Sequence, residues 1–250
     1  MDRLLEATWR AEQDHFWFRG FRRFVVPVLA RAAAGRTDLR LLDCGCGTGT
    51  NLARLLDAHG RAWGFDLTWR GLEFARAQGR PRLVQASITD IPFRTATFDI
   101  VTSFDVLQTL TLEQARAGLD EMHRVLEPGG AMLLTVAALE VLRGNHSVLA
   151  EERHRYTPRM LRVAVERAGF RIEHLSYTNF SLFPLMLAVR SWQRLVGLKP
   201  AEEAEGEITV PWAPLNATLS GLLGLEAAIS RLVPMPIGSS LICLGRKASA

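Results

Sequence analysis

Gly45, Gly47 and Gly49 alternate in the segment LLDCGCGTGTN, between an apolar run that ends at Asp43 and a helical stretch that begins near Asn51. Glycine lets a chain turn sharply and lets its backbone approach a ligand closely. Free N–H groups at the start of a following helix attract a carboxylate or a phosphate. The spacing is G-x-G-x-G, one position short of the dinucleotide G-x-G-x-x-G, and the G-K-[ST] of an ATP-binding loop is absent. The next apolar run closes at Gly64-Phe65-Asp66. An acid at the tip of a second strand can accept from both hydroxyls of a ribose. These residues alone leave a dinucleotide and an adenosyl compound open, beside the plainer readings of a tight turn and a strand-end acid.

Groups that could move a proton are fewer. Of the six histidines, His59, His123 and His174 read as surface or packing residues. His15 stands in EQDHFWFRG beside an aromatic run, and His146 and His154 flank a segment that also holds Arg153 and Tyr156. Side chains beyond the carboxyl ends of parallel strands collect at the ligand crevice, so residues 138–157 are expected near a bound substrate. His154 or His146 is the expected base, with Tyr156 and Arg153 orienting the substrate and His15 a third candidate. Gln108 is expected either to donate to the substrate or to cap the following turn, and Asp105 to orient a water or a ligand ammonium. The plainer alternative is that residues 154–157 only dock the loop and start the next helix. Cys44, Cys46 and Cys243 lack the spacing of a zinc site or a disulfide framework, and small buried packing roles suit them.

Four pieces in order carry a resemblance: LLDCGCGTG, then GFD, then ITDIPFRTATFDIVTSFDVLQ, then EMHRVLEPGG. Together they resemble the class I S-adenosylmethionine-dependent methyltransferases, in particular the broad small-molecule group of the UbiE type, over roughly residues 39–175. The resemblance implies that S-adenosyl-L-methionine is the cofactor and S-adenosyl-L-homocysteine the product. It sets Asp43, Gly45, Cys46 and Gly47 around the methionine part, Asp66 and Leu67 at the ribose, Ser87 and Ile88 facing adenine, and Ser103 and Phe104 beside the cofactor. Ser87 stands where an acid is common in the family, and Asp90 is the nearby substitute. Trp17, Gln108 and Arg153 fall on the substrate side. EQDHFWFRGFRR, HRYTPRMLRVAVERAGF, NFSLFP and PMPIGSSLICLGRK extend the likeness, over almost the whole chain, to a subgroup of bacterial methyltransferases of undefined substrate.

The elements that must position these groups follow from periodicity. Short apolar runs at Leu39–Asp43, Ala62–Asp66, Arg82–Gln85, Phe98–Phe104 and Ala131–Ala137 are separated by helical stretches, which reads as βα units around a parallel sheet. Glu127-Pro-Gly-Gly is expected to close the helix Leu112–Val125. A helix at Pro158–Ala168, with Thr157 as its N-cap, precedes a strand from Phe170. Ser240–Leu244 is the last strand. The resemblance sets this seventh strand antiparallel beside the fifth. The fold class expected is α/β: a doubly wound, seven-stranded, mostly parallel sheet in a single domain. An N-terminal helical lid (1–34), broken near Gly20, and a helical insertion (177–238) before the last strand complete it. The insertion holds helical stretches at Leu182–Val196 and Leu215–Leu232 joined by the acidic Glu202–Glu207. Glu226 falls on its apolar face, and either Arg190 or the mouth of a substrate pocket is expected to meet it.

Composition bounds the partners. The 250 residues are 48% hydrophobic and 22% charged, with a net charge of +4 in which all but two of the 30 basic residues are arginine. Scattered arginine offset by acids argues against nucleic acid, and the N-terminal segment lacks the pattern of a secretory signal. The reaction expected is methyl transfer to an oxygen, nitrogen or carbon of a small, apolar metabolite such as a lipid, quinone or polyketide-like compound. A non-catalytic methyltransferase-like scaffold and a nicotinamide-dependent oxidoreductase are the alternatives. No metal is expected. The expected setting is cytoplasmic, with peripheral contact at an inner membrane left open, and the chain a monomer or homodimer.

Overall fold

The computed structural model describes residues 2–200 and 208–249, so the acidic run Glu202–Glu207 lies outside the described residues. Seven strands form one sheet in the order β3-β2-β1-β4-β5-β7-β6. They are β1 (Leu39–Cys44), β2 (Gly60–Asp66), β3 (Leu83–Gln85), β4 (Phe98–Phe104), β5 (Leu126–Ala137), β6 (Phe170–Thr178) and β7 (Ser240–Lys247). The first five run parallel. β7 lies antiparallel between β5 and β6, as the resemblance implies. The order reverses direction between β1 and β4, the position where open α/β sheets hold ligands.

The helices are α1 (Asp2–Ala11), α2 (Phe16–Ala33), α3 (Trp69–Ala77), α4 (Leu112–Val125), α5 (Asn145–Leu149), α6 (Pro158–Arg167), α7 (Phe183–Val196) and α8 (Ala213–Ile229). Two layers of apolar packing enclose the sheet. On one face Val25 and Leu29 of α2 and Leu72 of α3 meet Leu41, Ile100, Leu133 and Ile242. On the other, Leu119 and Met122 of α4 and Leu161 and Val165 of α6 meet Leu42, Val101, Leu134 and Cys243. Alternation along each strand delivers these two sets to opposite faces. A sheet covered on both sides explains why β1 and β4 read as nearly continuous apolar runs.

Local chemistry sets the ends. Thr111 and Gln114 form a reciprocal capping box at the start of α4. Thr157 Oγ1 accepts from Met160 N–H (3.2 Å) at the start of α6. Several expected boundaries move. The N-terminal helices part at residues 12–15, not at Gly20, because His15 caps α2. Gly20 stays inside α2, where a Cβ would overlap Leu223 of α8. The segment expected as a helix from Asn51 is a π-helical turn, Leu52–Leu56, followed by a 3-10 turn at Asp57–His59. β5 begins at Leu126 and absorbs the Pro-Gly-Gly expected as a turn. Glu226 meets neither Arg190 nor a pocket mouth: its carboxylate accepts from Phe180 N–H (2.8 Å), Ser181 N–H (2.9 Å) and Ser181 Oγ (2.6 Å). Backbone donors at a tight bend satisfy the buried charge that the sequence left open.

Gly60 opens β2 at φ +151°, and a Cβ there would strike the backbone of Leu39. Gly60→Ala is therefore expected to lower unfolding free energy by about 2–4 kcal/mol, read from urea denaturation midpoints at unchanged slope.

Candidate active site

The carboxyl ends of β1, β2, β4 and β5 lie at one edge of the sheet, and the segments that leave them gather there. Gly45, Gly47 and Gly49 take φ of +81°, +49° and +78°, a region that side chains rarely enter. Gly45 N–H and Cys46 N–H both donate to Phe65 O (2.9 and 2.8 Å), which fastens the loop to the end of β2. Asp66 Oδ2 accepts from Gly47 N–H (2.8 Å), and Oδ1 accepts from Thr68 N–H (2.8 Å) and Thr68 Oγ1 (2.6 Å). The acid expected at the ribose thus also braces the glycine loop.

Asp43 is fully enclosed beneath the loop, and Thr102 Oγ1 donates to its Oδ1 (2.7 Å). Burial, reinforced by the Asp66 charge, pushes the Asp43 carboxyl up to about 7. Ser103 Oγ, at the end of β4, is buried without a hydrogen-bond partner. Phe104 meets Phe21 of α2 edge-on, with ring centroids 5.2 Å apart. Cys46 is buried, and burial pushes its thiol well up, as it does for Cys44. Leu67 is exposed. Ser87 Oγ lies 2.8 Å from Thr89 Oγ1, Ile88 packs beneath Gly118, and Asp90 is exposed.

Two movable side chains cover the glycines. A Cβ on Gly47 would lie 3.3 Å from Leu5 Cδ2 of α1, and one on Gly45 would overlap Val106. A Cβ on Gly49 would meet Ala75, so that glycine serves the packing of α3. The end of α1 is held down by a residue that the sequence did not mark. Glu12, just past α1 and buried, accepts from Thr48 Oγ1 (2.8 Å) and from Thr50 Oγ1. Gln78 Nε2 donates to Thr48 O (2.8 Å) and Thr50 Oγ1 (3.0 Å) behind them. Burial raises the Glu12 carboxyl despite these donors and despite Arg22 and Arg54 nearby.

A second polar group sits beyond β4 and β5. Asp105 adopts φ +58°, donates its N–H to Thr135 O (3.0 Å), and receives Thr135 Oγ1 at Oδ1 (3.2 Å). Asp105 is exposed to solvent, with protein atoms crowding one side of its carboxyl. That crowding, with the Glu152 charge, pushes it up to about 6 against the hydrogen bonds of Thr135 and Gln108. Its position directly after a strand end was the one signal that could mark it. Arg155, also buried, donates to Glu152 (2.9 Å), Ser147 Oγ (3.2 Å), Ala138 O (2.9 Å) and Ser239 O (3.2 Å), which locks residues 138–157 to the sheet.

The expected catalytic residues scatter. Gln108 and His154 are brought together: the backbone N–H of His154 reaches Gln108 O (3.4 Å), and both Gln108 Oε1 and His154 Nε2 are buried without a partner. Burial lowers the His154 imidazole, which is then neutral near pH 7. Tyr156 lies edge-on to His154 at 4.7 Å, and its hydroxyl donates to Leu107 O (3.5 Å). Arg153 is exposed and donates from Nε to Thr109 O (3.2 Å). His146 lies on α5 and is half-buried. His15 and Trp17 stand elsewhere: His15 Nδ1 accepts from Trp17 N–H (3.1 Å) as the cap of α2, and Trp17 packs with Phe24, Leu182 and Leu223.

Strand order, glycine loop and the acid after β2 define the class I methyltransferase architecture. Residues 42–134 match the family described as methyltransferase domain, and with the relatives below this match supports an S-adenosylmethionine-dependent methyltransferase. Its relatives include the demethylmenaquinone methyltransferases of Clavibacter sepedonicus (28% identical, covering 76% of this chain and 74% of the relative) and of Mycobacterium sp. strain KMS (27%, covering 87% and 84%). These similarities set it beside the UbiE-like group. Among solved structures, the methyltransferase in complex with the Haloferax volcanii Trm112 activator shares the fold at a TM-score of 0.62 and 19% identity, over 98% of this chain and 95% of that one.

Asp43 carries a pH prediction. Its carboxyl is raised from 3.8 to about 7 by folding, so the stability it contributes is fully present below pH 4 and is lost as pH rises through 7. Asp43→Asn keeps an acceptor for Thr102 and is expected to raise stability by at least about 1 kcal/mol at pH 8, with little gain at pH 4, measured by thermal melts at both pH values.

Proposed function

We propose that this chain transfers a methyl group from S-adenosyl-L-methionine to an oxygen, nitrogen or carbon of a small, apolar metabolite. The single observation that carries the cofactor reading is the glycine loop braced by Asp66, with the orphaned Ser103 Oγ at the neighbouring strand end. The residues fit the group. Gly45 and Gly47 lack side chains where the backbone must be approached, and what covers them is the ends of Leu5 and Val106 rather than backbone. Asp66 would accept from the ribose hydroxyls, Asp43 and Ser103 would face the methionine part, and Ile88 would pack against adenine. When bound, the cofactor supplies a methyl group already activated on a sulfonium.

What remains for the protein is to align the acceptor, strip its water and take a proton where one must leave. Asp105 suits the last task better than the histidines. Its carboxyl, held near 6, is ionised yet still basic at neutral pH, and it is open to solvent just past the end of β4. His154, neutral with Nε2 unpartnered, is the second candidate. The likeness to demethylmenaquinone methyltransferases supports a small, apolar, ring-bearing acceptor. α1 would seal the crevice from water, with Glu12 as its latch on Thr48 and Thr50.

Calorimetry with S-adenosylhomocysteine tests the cofactor site. Asp66→Asn is expected to weaken binding at least tenfold, about 1.4 kcal/mol, and unchanged affinity in a folded variant would reject the ribose assignment. Incubating the protein with labelled methyl donor and a metabolite extract exposes the acceptor by mass. With that acceptor, kcat/KM is expected to rise through about pH 6, where Asp105 loses its proton. Asp105→Asn is expected to reduce turnover about 100-fold or more at unchanged S-adenosylhomocysteine affinity. A flat pH profile or full turnover would remove Asp105 as the base.

A further inference from the structure

Glu12 ties the first helix of the chain to the glycine loop. Helix α1 ends at Ala11, and Glu12 carries its geometry one residue further, its N–H donating to Thr8 O (2.8 Å). It therefore lies two turns from Leu5, on the same face. Both residues of that face meet one short piece of chain. A Cβ on Gly47 would lie 3.3 Å from Leu5 Cδ2, and the Glu12 carboxylate accepts from Thr48 Oγ1 (2.8 Å) and from Thr50 Oγ1. Glu12, Thr48 and Thr50 are all buried. Behind them Gln78 Nε2 holds Thr48 O and Thr50 Oγ1 from the end of α3.

The rest of α1 lies between two neighbours. On one flank Trp9 stacks on Phe74, and Glu6 pairs with Arg70 (3.1 Å), both on α3. On the other, Ala7 and Ala11 pack with Phe18, with Leu149 of α5 and with Ile208. Arg22 Nη1 donates to Glu12 O (3.1 Å), and Arg54, in the π-helical turn after the loop, donates to Gln13 Oε1. An apolar side chain would dock a helix at less cost than a buried carboxylate. Burial raises the Glu12 carboxyl against both threonine donors and against Arg22 and Arg54. The contact is thus held at a cost, and its hydroxyls and carboxylate can all turn to water when it opens.

We propose that Glu12 is a positioning residue that sets how long the methyl donor or its product stays bound. By holding Thr48 and Thr50 it keeps α1 closed over Gly47, and the ligand enters and leaves when this contact opens. Glu12 touches no reacting atom and acts through the two threonines. The proposal rests on the methyl-donor reading of the glycine loop and deepens it by naming the group that governs exchange.

A pulse of labelled S-adenosylhomocysteine on the full chain, chased with unlabelled compound, reads the dissociation rate. Glu12→Ala is expected to speed dissociation at least about tenfold, and Thr48→Val with Thr50→Val to do the same. Combining all three is expected to add nothing further, because each removes the same contact. Glu12→Gln keeps an acceptor for one threonine and offers its amide to the other, and is expected to stay within about threefold of wild type. Amide exchange of the ligand-free chain is expected to quicken in α1 of Glu12→Ala, with β1 and β4 unchanged. A residue that only adds stability would lower the melting temperature and leave the dissociation rate as it was. That result in folded Glu12→Ala would overturn the proposal, as would additive effects of the acid and the threonines. Where Glu12→Ala does not fold, the threonine pair reads the same contact. Wild-type protein that binds no S-adenosylhomocysteine would reject the methyl-donor reading and this proposal together, whereas tight binding indifferent to Glu12 rejects the proposal alone.

Discussion

The carboxylate of Asp66 ties the end of β2 to the glycine loop that leaves β1, and the site is built around that tie. Its Oδ2 fixes Gly47 N–H at 2.8 Å while Oδ1 holds Thr68 at the start of α3. Two strand ends and one helix start are therefore held in register by one side chain. The loop can keep three left-handed glycines because Phe65 O and Asp66 satisfy three of its N–H groups. A ligand whose hydroxyls donate to the same carboxylate would share it with the loop, and its occupancy would then be coupled to loop shape.

Around this tie the molecule holds acids crowded by protein atoms, two of them, Asp43 and Glu12, fully buried. Asp43, Asp105 and Glu12 all have carboxyls raised by burial. A sequence optimised only for stability would not place three acids at one edge of a sheet. Their donors are short polar groups from neighbouring elements: Thr102 for Asp43, Thr135 for Asp105, and Thr48 and Thr50 for Glu12. Such a cluster suits a crevice that must bind a cation beside hydroxyls and move protons.

α1 and the helices before β7 show how the same chain handles apolar surface in two ways. α1 uses Leu5 against Gly47 and Trp9 against Phe74, with stacked ring centroids 5.0 Å apart, so its apolar side is spent on the glycine loop and α3. α7 and α8 share only Met186, Leu219, Leu223 and Ala227 with a cluster that also takes Phe16, Trp17 and Phe24 from α2. The residues left outside, from Leu185 to Leu232, exceed what the core can take. Core capacity is set by the two faces of one sheet, and α2, α3, α4 and α6 already fill them.

Much of this architecture was legible in the residues themselves. Alternating glycines after an apolar run, an acid closing the next run and Thr157-Pro158 opening a helix are local signals, written within a few positions of the structure they specify. Strand type and order along the chain needed nothing more, and the antiparallel seventh strand came with the family resemblance. What sequence could not show depends on distance in space. Glu12 is 36 residues from the Thr48 it accepts from, and Glu226 is 46 residues from Phe180 N–H. His15 looked like a proton carrier because imidazole chemistry is visible in one letter, while its use as the cap of α2 depends on where the chain bends. Residue type and spacing determined the loop and the strands, and the choice among nucleotide-like ligands came with the family resemblance. Only tertiary packing decided which acids are buried, which histidine nitrogen is left without a partner and which apolar stripes stay outside, because desolvation and hydrogen-bond partners belong to the folded surroundings and not to the residue.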